Sequence, residues 1–461
     1  MTEQTNEAAA GRAGAASLKL PPPGIDPLLR WRFYPGLFHW LFYAVLAALI
    51  YFAFAPGQRG EGNLATEVVW RLWWPGLGFL LLFGGRIWCG VCPFGGVADL
   101  VGKIIKERPA PPGVFRRLGP WLGVASVFAF GLAFLALGLE GNAGATGIIL
   151  IGMTLLAFGL SLAFRGRTFC RYLCPVGLIT RVYSFFSWLR PHGSTRMQGA
   201  MAVCPVGQSP ASLRQPSQCQ MCGVCTHDPG ARGITTTVTP VSPRLPGLQE
   251  FGRTEGVLSL LLLGLMAADS VRMTQLFARY QQFALPYLGY NYRLTVVLGV
   301  SVLVGTILLL QLCVARLLGG RVQVTGVAGA GDNTGVKYSS AGKALSSRFD
   351  SMAFSFLPLT LGVFLSLSLQ HLWSGAWPSL QTVLLESRLI DWSGHMPPTN
   401  VYFVSIPLKF LQLALLGMGL YFSLGIARKD MRAGALSRSA VVLAAFSGFG
   451  FLFLLPMSGA C

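Results

Sequence analysis

Nine stretches of about 20 mostly apolar residues impose the strongest constraint on how this chain can fold. An α-helix rises about 1.5 Å per residue, so a stretch of this length crosses the roughly 30 Å hydrocarbon core of a membrane. The stretches occupy residues 37–55, 64–84, 120–139, 145–164, 255–275, 292–315, 352–373, 401–426 and 438–457. Hydrophobic residues make up 53% of the chain and charged residues 11%, which is too apolar for a soluble protein. We therefore predict an all-α polytopic membrane protein with about nine transmembrane helices.

The net charge of +19 helps to predict how the chain is oriented in the membrane. No basic run is interleaved with aromatic residues, so the charge does not indicate nucleic acid as a partner. Lys and Arg gather in the cytoplasmic loops of membrane proteins. Nine helices with a cytoplasmic N-terminus place all but seven of the 36 Lys and Arg residues on that side. We expect a multi-pass protein of the bacterial inner membrane, with its C-terminus outside.

Two similar cysteine motifs follow the second and fourth predicted helices, at their cytoplasmic ends. GRIWCGVCPFGG contains Cys89 and Cys92, and RGRTFCRYLCPVG contains Cys170 and Cys174. Proline after a ligand turns the chain away from the site, and glycine lets the backbone approach closely. The cytoplasm keeps thiols reduced, so such cysteines indicate metal or cluster ligands rather than disulfides. The arginine in each motif either balances anionic thiolates or anchors the helix at the cytoplasmic side.

A polar insert follows the second motif. After an expected amphipathic helix on the inner membrane surface, residues 191–253 contain no membrane-spanning stretch. Cys219, Cys222 and Cys225 have the C-x2-C-x2-C spacing of bacterial ferredoxins, and Cys204, followed by proline, supplies the remote fourth ligand. A second ferredoxin run is absent, because Pro229 stands where its cysteine would be. The remaining set, Cys89, Cys92, Cys170 and Cys174, would hold a second cluster, although exchange of Cys-Pro ligands between the sets and zinc binding stay open alternatives.

The chain divides into four predicted segments. Residues 1–35 form a disordered cytoplasmic tail, and 36–190 form a four-helix membrane core with the two Cys-Pro turns. Residues 191–253 form the cytoplasmic ferredoxin-like insert, and 254–461 form a five-helix membrane domain. In this last domain His371, Asp391 and His395 are polar groups near the outer face, where they form either a plain loop or a partner surface or proton path.

WCGVCPFG and CRYLCPVG, followed by the ferredoxin-like insert, resemble the membrane polyferredoxins of the NapH/NosR type, which are related to the CcoG oxidase-assembly proteins. The resemblance covers residues 35 to 240. It implies a core that passes electrons between the quinone pool or a cytoplasmic donor and a partner reductase through 4Fe-4S centres. The chain departs from the family pattern in its C-x2-C-P first motif, where C-x3-C-P is usual, and in its single ferredoxin run.

The leading functional prediction is a membrane electron-transfer protein with two 4Fe-4S clusters, acting as a quinol dehydrogenase-type subunit beside a partner redox protein. The alternatives are a copper reductase or assembly factor for a respiratory enzyme, and a transporter with a regulatory cluster. A quinone is expected near the inner face, where Trp88, Phe94, Phe169 and Tyr172 either line its path or pack around the cluster.

Overall fold

The computed structural model shows a chain built of helices joined by short turns. It describes residues 25–55, 63–193, 204–208, 213, 215–227, 234–238, 253–272, 275–317, 353, 355–386 and 401–430. The α-helices are α1 (Ile25–Arg30), α2 (Gly36–Phe54), α3 (Leu64–Thr66), α4 (Trp74–Gly84), α5 (Ile87–Val91), α6 (Pro93–Ile104), α7 (Gly113–Leu137), α8 (Ala143–Ala163), α9 (Thr168–Tyr172), α10 (Pro175–Tyr183), α11 (Arg253–Arg272), α12 (Gln275–Tyr287), α13 (Tyr292–Leu317), α14 (Leu357–Glu386) and α15 (Val401–Asp430). A π-helix (Glu67–Trp73) joins α3 to α4, and short 3-10 helices cover Ser184–Phe186, Pro216–Gln218 and Val224–Thr226. Two strands, β1 (Leu189–Gly193) and β2 (Ile234–Val238), pair antiparallel with Leu189 opposite Val238.

Six helical segments in the part of the chain that the structure describes are long and apolar enough to cross a membrane. They are Gly36–Phe54, Arg117–Leu137, Ala143–Ala163, Thr254–Arg272, Tyr292–Leu310 and Leu408–Ile426. They correspond to six of the nine predicted stretches, and the seventh stretch contains the shorter apolar segment Leu357–Leu372. Residues 438–457 lie outside the described part of the chain. The all-α polytopic membrane architecture is therefore confirmed, while the count of nine stays a prediction.

The second predicted helix forms with an irregular hydrogen-bond pattern. The π-helix Glu67–Trp73 interrupts it, and α4 begins immediately afterwards. Pro75 has no N–H to donate, so a regular helical hydrogen bond is lost where the pattern changes. Arg71 forms an ion pair with Glu67 across one turn at 3.4 Å. Short π segments inside helices are frequent at functional sites, and this one carries Trp70 and Trp73.

Helix α10 does not lie on the membrane surface as the sequence suggested. Eight of its nine residues are buried, and Tyr183 stacks on Phe364 of α14 with ring centroids 5.6 Å apart. The polar side chains that resembled a solvated face are satisfied internally: the Thr180 hydroxyl donates to the Gly177 carbonyl at 3.0 Å. The segment after the second cysteine motif therefore enters the protein interior.

Residues 25–35 correct the prediction of a disordered tail up to residue 35. Leu29 and Tyr34 are buried in one apolar cluster with Leu189, Met221 and Ile234 of the insert. The Asp26 carboxylate accepts a hydrogen bond from the Thr236 N–H of β2 at 3.0 Å. A six-residue helix is too short to show a periodic pattern, and its partners lie far away in the sequence.

The helices of the second half pack closely through small residues. A Cβ atom on Gly419 of α15 would lie 2.7 Å from the Pro358 carbonyl oxygen, and one on Gly362 of α14 would lie 2.9 Å from the Leu415 carbonyl oxygen. Small residues allow such backbone approach between membrane helices. Gly417, two residues away on α15, has no neighbour within 4 Å of its hypothetical Cβ.

These glycines provide a matched test of the helix packing. Gly419→Ala should lower the stability of the protein by about 1 to 3 kcal/mol, because the added methyl group forces α14 and α15 apart. Gly417→Ala should be neutral or should stabilise by up to about 1 kcal/mol through helix propensity. Thermal unfolding in detergent, followed by circular dichroism, measures both. Equal stability of the two variants would contradict the observed packing of α14 on α15.

Candidate metal centres

The first group of thiols, here called the membrane set, comes from two helix-turn-helix junctions. Cys89 lies on α5, and Cys92 precedes α6; Cys170 lies on α9, and Cys174 precedes α10. In both junctions a proline occupies the first turn of the second helix. Proline lacks an N–H, and an N–H at this position would have no partner within the helix. Helix N-termini stabilise anionic sulfur because their free N–H groups point outward. The backbone N–H of Gly177 donates to Cys174 Sγ at 3.2 Å, as this geometry requires.

The four thiols of the membrane set are close enough to influence one another. Burial raises the pKa of Cys170 to about 12, and the charge of Cys89 adds to the increase. Burial also raises the pKa of Cys174 well above its usual range, with further increases from Cys170 and Cys92. Four thiolates in one buried site repel one another, so the site favours a positively charged occupant that relieves the repulsion.

The second group, here called the insert set, lines a small cavity in the insert. Its members are Cys204, Cys219, Cys222 and Cys225, and the cavity also contacts Leu213 and Ile234. Burial raises the pKa of Cys225 to about 12, and the neighbouring charges of Cys222 and Cys204 contribute smaller increases. The Met221 N–H donates to Cys219 Sγ at 3.3 Å. The four insert cysteines therefore line one cavity, while the assignment of the eight cysteines to two sets of ligands stays a prediction.

The thiols of both sets limit which metal or cluster can bind there. The eight cysteines carry free thiols. Within the described residues, no three or more His, Cys, Asp or Glu side chains are grouped closely enough to hold a single metal ion. A 4Fe-4S cluster makes a different demand, because four thiolates hold a four-iron core. Hydrogen bonds from backbone N–H groups to sulfur, present in both sets, are among the features that tune such clusters. The residues therefore fit a 4Fe-4S cluster in each set.

Arg167 is the central structural residue between the sets. Its side chain is fully buried and forms an ion pair with Asp99 of α6 at 2.6 Å. The guanidinium also donates to the carbonyl oxygen of Cys89 at 2.7 Å and to Gln220 Oε1 at 3.0 Å. Its backbone N–H donates to the Pro205 carbonyl at 2.8 Å. One residue thus joins the second motif to the first motif and to the insert.

Arg86 makes the equivalent contacts from the first motif. It stands three residues before Cys89, as Arg167 stands three residues before Cys170. Its guanidinium donates to the Ser217 carbonyl at 2.7 Å and to the Gly177 carbonyl at 3.1 Å. The buried Nε of Arg86 has no hydrogen-bond partner in the described part of the chain, which fits an acceptor such as cluster sulfide. The two arginines are buried near the thiols, so they are not lipid-surface anchors.

The two sets also touch through backbone. A Cβ on Gly90 would lie 2.8 Å from the carbonyl oxygens of both Gln220 and Met221. The Tyr34 hydroxyl donates to that Met221 carbonyl at 2.6 Å. Only glycine at this position allows helix α5 to lie against the insert.

The aromatic residues beside the ligands pack around the thiols. Phe94 and Phe169 contact each other edge to face at 6.3 Å, and both are buried, as is Tyr172. Phe94 and Phe169 belong to the apolar core that contains Cys170 and Cys174, whereas Tyr172 lines a neighbouring cavity, and the choice between the two roles stays a prediction. Trp88 is partly buried and contacts Trp73 of the π-helix at 5.4 Å.

The sequence reasoning named the eight cysteines but missed several polar residues. Asp99, Gln220 and Tyr34 were not singled out, and the roles of Arg86 and Arg167 were left undecided. The shared position of an arginine three residues before the first cysteine of each motif was the available signal. His371 of α14 lies 3.8 Å from Glu140, a partner that was also missed. Asp391 and His395 lie outside the described residues.

Arg167→Lys tests the central position of this guanidinium. We expect a loss of about 3 kcal/mol of stability and loss of iron from both sets, because an ammonium group cannot reproduce five hydrogen bonds to Asp99, Cys89, Gly90 and Gln220. Arg165→Lys is the matched control, since Arg165 is exposed. Anaerobic unfolding and iron analysis provide the readouts. If both variants keep their iron and stability equally, Arg167 does not hold the sets together.

Comparison with known proteins agrees with this geometry. Residues 66–111 and 146–192 match the family described as 4Fe-4S binding domain. Protein NirI of Paracoccus denitrificans is 28% identical over 211 residues, which is 39% of this chain and 30% of that protein. Regulatory protein NosR of Pseudomonas aeruginosa is 27% identical over 159 residues, covering 30% of this chain and 22% of that protein. NosR of Stutzerimonas stutzeri is 26% identical over 153 residues, covering 29% of this chain and 21% of that protein.

The matched region thus spans less than a third of each of these relatives. No solved structure matches the chain. The two matched segments include both motifs of the membrane set. The predicted resemblance of the first half to membrane 4Fe-4S proteins of the NosR type is therefore confirmed.

Proposed function

We propose that the protein transfers electrons between a membrane quinone and a partner redox protein through two 4Fe-4S clusters. One cluster would be held by Cys89, Cys92, Cys170 and Cys174, and the other by Cys204, Cys219, Cys222 and Cys225. The single observation that carries the proposal is the grouping of eight thiols into two sets of four that touch through Gly90 and Gln220. When bound, each cluster supplies a one-electron carrier.

The residues between the sets support passage of electrons from one to the other. Arg167 donates to the Cys89 carbonyl on one side and to Gln220, between Cys219 and Cys222, on the other. Its positive charge lowers the pKa of Cys170 and also that of Cys222, against the larger effect of burial. A cation placed between two anionic centres favours added electrons on both of them. The close backbone contact at Gly90 keeps the separation of the sets fixed.

A basic cleft beside the insert set is a suitable surface for a negatively charged redox partner. Its volume is about 1200 Å³, and Cys204 forms part of its wall. Among the described residues, six cationic side chains line it and Asp99 contributes the one carboxylate; the cations are Arg32, Lys103, Arg108, Arg165, Arg167 and Arg171. Such a potential steers an acidic partner towards Cys204. We place this surface on the cytoplasmic side, as the distribution of Lys and Arg predicts.

Iron and sulfide analysis of anaerobically purified protein tests the proposal. We expect about eight iron and eight acid-labile sulfide per chain, from two four-iron clusters. The double variant Cys219→Ala, Cys222→Ala should retain about half of this, because the membrane set is formed by other residues. Cys313→Ser, a change on α13 outside both sets, is the control and should retain all of it.

Electron paramagnetic resonance of the reduced protein should show two cluster signals, of which the double variant keeps one. Stoichiometric zinc or copper with little sulfide would contradict the proposal. So would complete loss of iron from a double variant that remains folded, since that result would mean that the eight cysteines hold one shared centre.

A further inference from the structure

An apolar cavity lies between helices of both halves of the protein. It has a volume of about 120 Å³, and its walls come from α4, α7, α11 and α14. Four aromatic rings contribute to the walls, those of Trp74, Phe130, Phe134 and Phe364. An apolar cavity of about 150 Å³ in another protein holds a benzene molecule. At about 120 Å³ this cavity is somewhat smaller, so its aromatic walls leave room for one planar six-membered ring and little more.

Polar side chains are concentrated at one end of the same cavity. Glu140, in the turn after α7, lies 3.8 Å from His371 of α14, and Asp269 of α11 also lines the cavity. Arg272 contacts Asp269 at 3.3 Å and donates to the Leu135 carbonyl at 3.2 Å. The end of α7 that carries Glu140 is opposite to the end near the cysteines. Ionisable side chains at the end of an apolar cavity are candidates for function, because placing charge beside apolar walls is costly.

The cavity reaches from these polar groups towards the membrane set. Its α7 wall runs from Val127 to Leu135, which is about 12 Å along a helix. Ile179 of the buried helix α10 forms part of its wall. The next residue, Thr180, has its hydroxyl 3.3 Å from Cys89 Sγ. Two consecutive residues of α10 therefore line the cavity and contact a predicted ligand.

Aromatic rings form a second connection between the cavity and the membrane set. Trp74 lines the cavity and contacts Trp73 at 6.1 Å, and Trp73 contacts Trp88 at 5.4 Å. Trp88 is the residue before Cys89. The π-helix, which ends at Trp73, places these tryptophans in sequence between the cavity and the first motif. The irregular helix thus has a structural consequence at the cavity.

We infer that this cavity binds the quinone ring, and that Glu140, His371 and Asp269 handle its protons; the inference rests on the proposed function. A quinone ring is planar and apolar, which suits the aromatic walls, and its two oxygens need hydrogen-bond partners, which the polar end supplies. Phospholipid chains lack such oxygens along their length. The second half of the chain, through α11 and α14, would thereby complete the site that exchanges electrons with the first half.

Oxidation of quinol and reduction of quinone at this site both balance in electrons and protons. Oxidation of one quinol to quinone breaks two O–H bonds and releases two electrons and two protons. The electrons pass one at a time to the two clusters of the proposed function. A carboxylate or the imidazole at the polar end accepts each proton, and the pair Glu140 and His371, about one third exposed, passes it to water. Reduction of quinone follows the same path in reverse.

Glu140→Gln and His371→Gln test the site. Each change keeps the approximate shape of the side chain and removes its proton exchange, so cluster reduction by a short-chain quinol should slow about a hundredfold. Glu67→Gln is the matched control, because Glu67 is a buried carboxylate at the same end of the membrane region and does not line the cavity. The control should stay within about twofold of the wild-type rate. Reduction by dithionite, and iron per chain, should be unchanged in all three variants.

Photolabelling of the wild-type protein with an azido-quinone provides a second readout that does not depend on the variants. We expect label on peptides from α7 and α11, removed by excess unlabelled quinone. If the wild-type clusters exchange no electrons with quinol or quinone, the proposed function fails. If they do exchange electrons, while both cavity variants behave as the wild type or the label appears only beside the cysteine turns, the cavity assignment fails and the proposed function stands.

Discussion

The burial of two arginines among eight thiols is the interaction on which the rest of the structure depends. Four thiolates in one buried set repel one another, and burial together with neighbouring thiols raises the pKa of Cys174 and of Cys219 well above the usual range. Arg86 and Arg167 bring positive charge to this region, and Asp99 in turn neutralises Arg167. Their hydrogen bonds go mostly to backbone carbonyl groups, so each arginine fixes the path of the chain as well as the charge.

These contacts explain why the two cysteine motifs of the first half have similar sequences. Each motif contributes an arginine that reaches the opposite motif and the insert: Arg86 reaches Gly177 and Ser217, and Arg167 reaches Cys89 and Gln220. The two motifs therefore lock each other in place around an approximate symmetry, and the insert is held at the point where they meet. An isolated motif would leave its arginine buried without partners, which is costly.

Much of this arrangement could be predicted from sequence because its signals are local. Apolar length predicts the helices, and the cysteine spacing predicts two sets of ligands, of which the four insert cysteines line one cavity. The burial of α10 could not be predicted, since Thr180 and Ser184 resemble a solvated face until their backbone partners are known. The contact of Glu140 with His371, and the docking of Leu29 on the insert, join residues about 200 positions apart and have no local signal.

The position of a quinone also depends on contacts that have no local signal in the sequence. Distance favoured a site near the cysteine turns, because the predicted clusters lay at one face and the polar histidines at the other. Helix α10 carries Thr180 and Ile179 inward, so that one helix contacts both Cys89 and the apolar cavity. Both positions for a quinone stay predictions. The aromatic rings expected beside the turns, Phe94 and Phe169, are buried against each other instead.

The central claim is that two separate clusters lie side by side, held by Arg167 and by the contact of Gly90 with Gln220. Magnetic coupling between them tests it most directly, in a redox titration followed by electron paramagnetic resonance. We predict a simple signal when one cluster is reduced and a broadened, coupled signal when both are reduced, from a protein with about eight iron per chain. A spectrum of two independent signals with no coupling at full reduction, or of a single cluster throughout, would contradict the account.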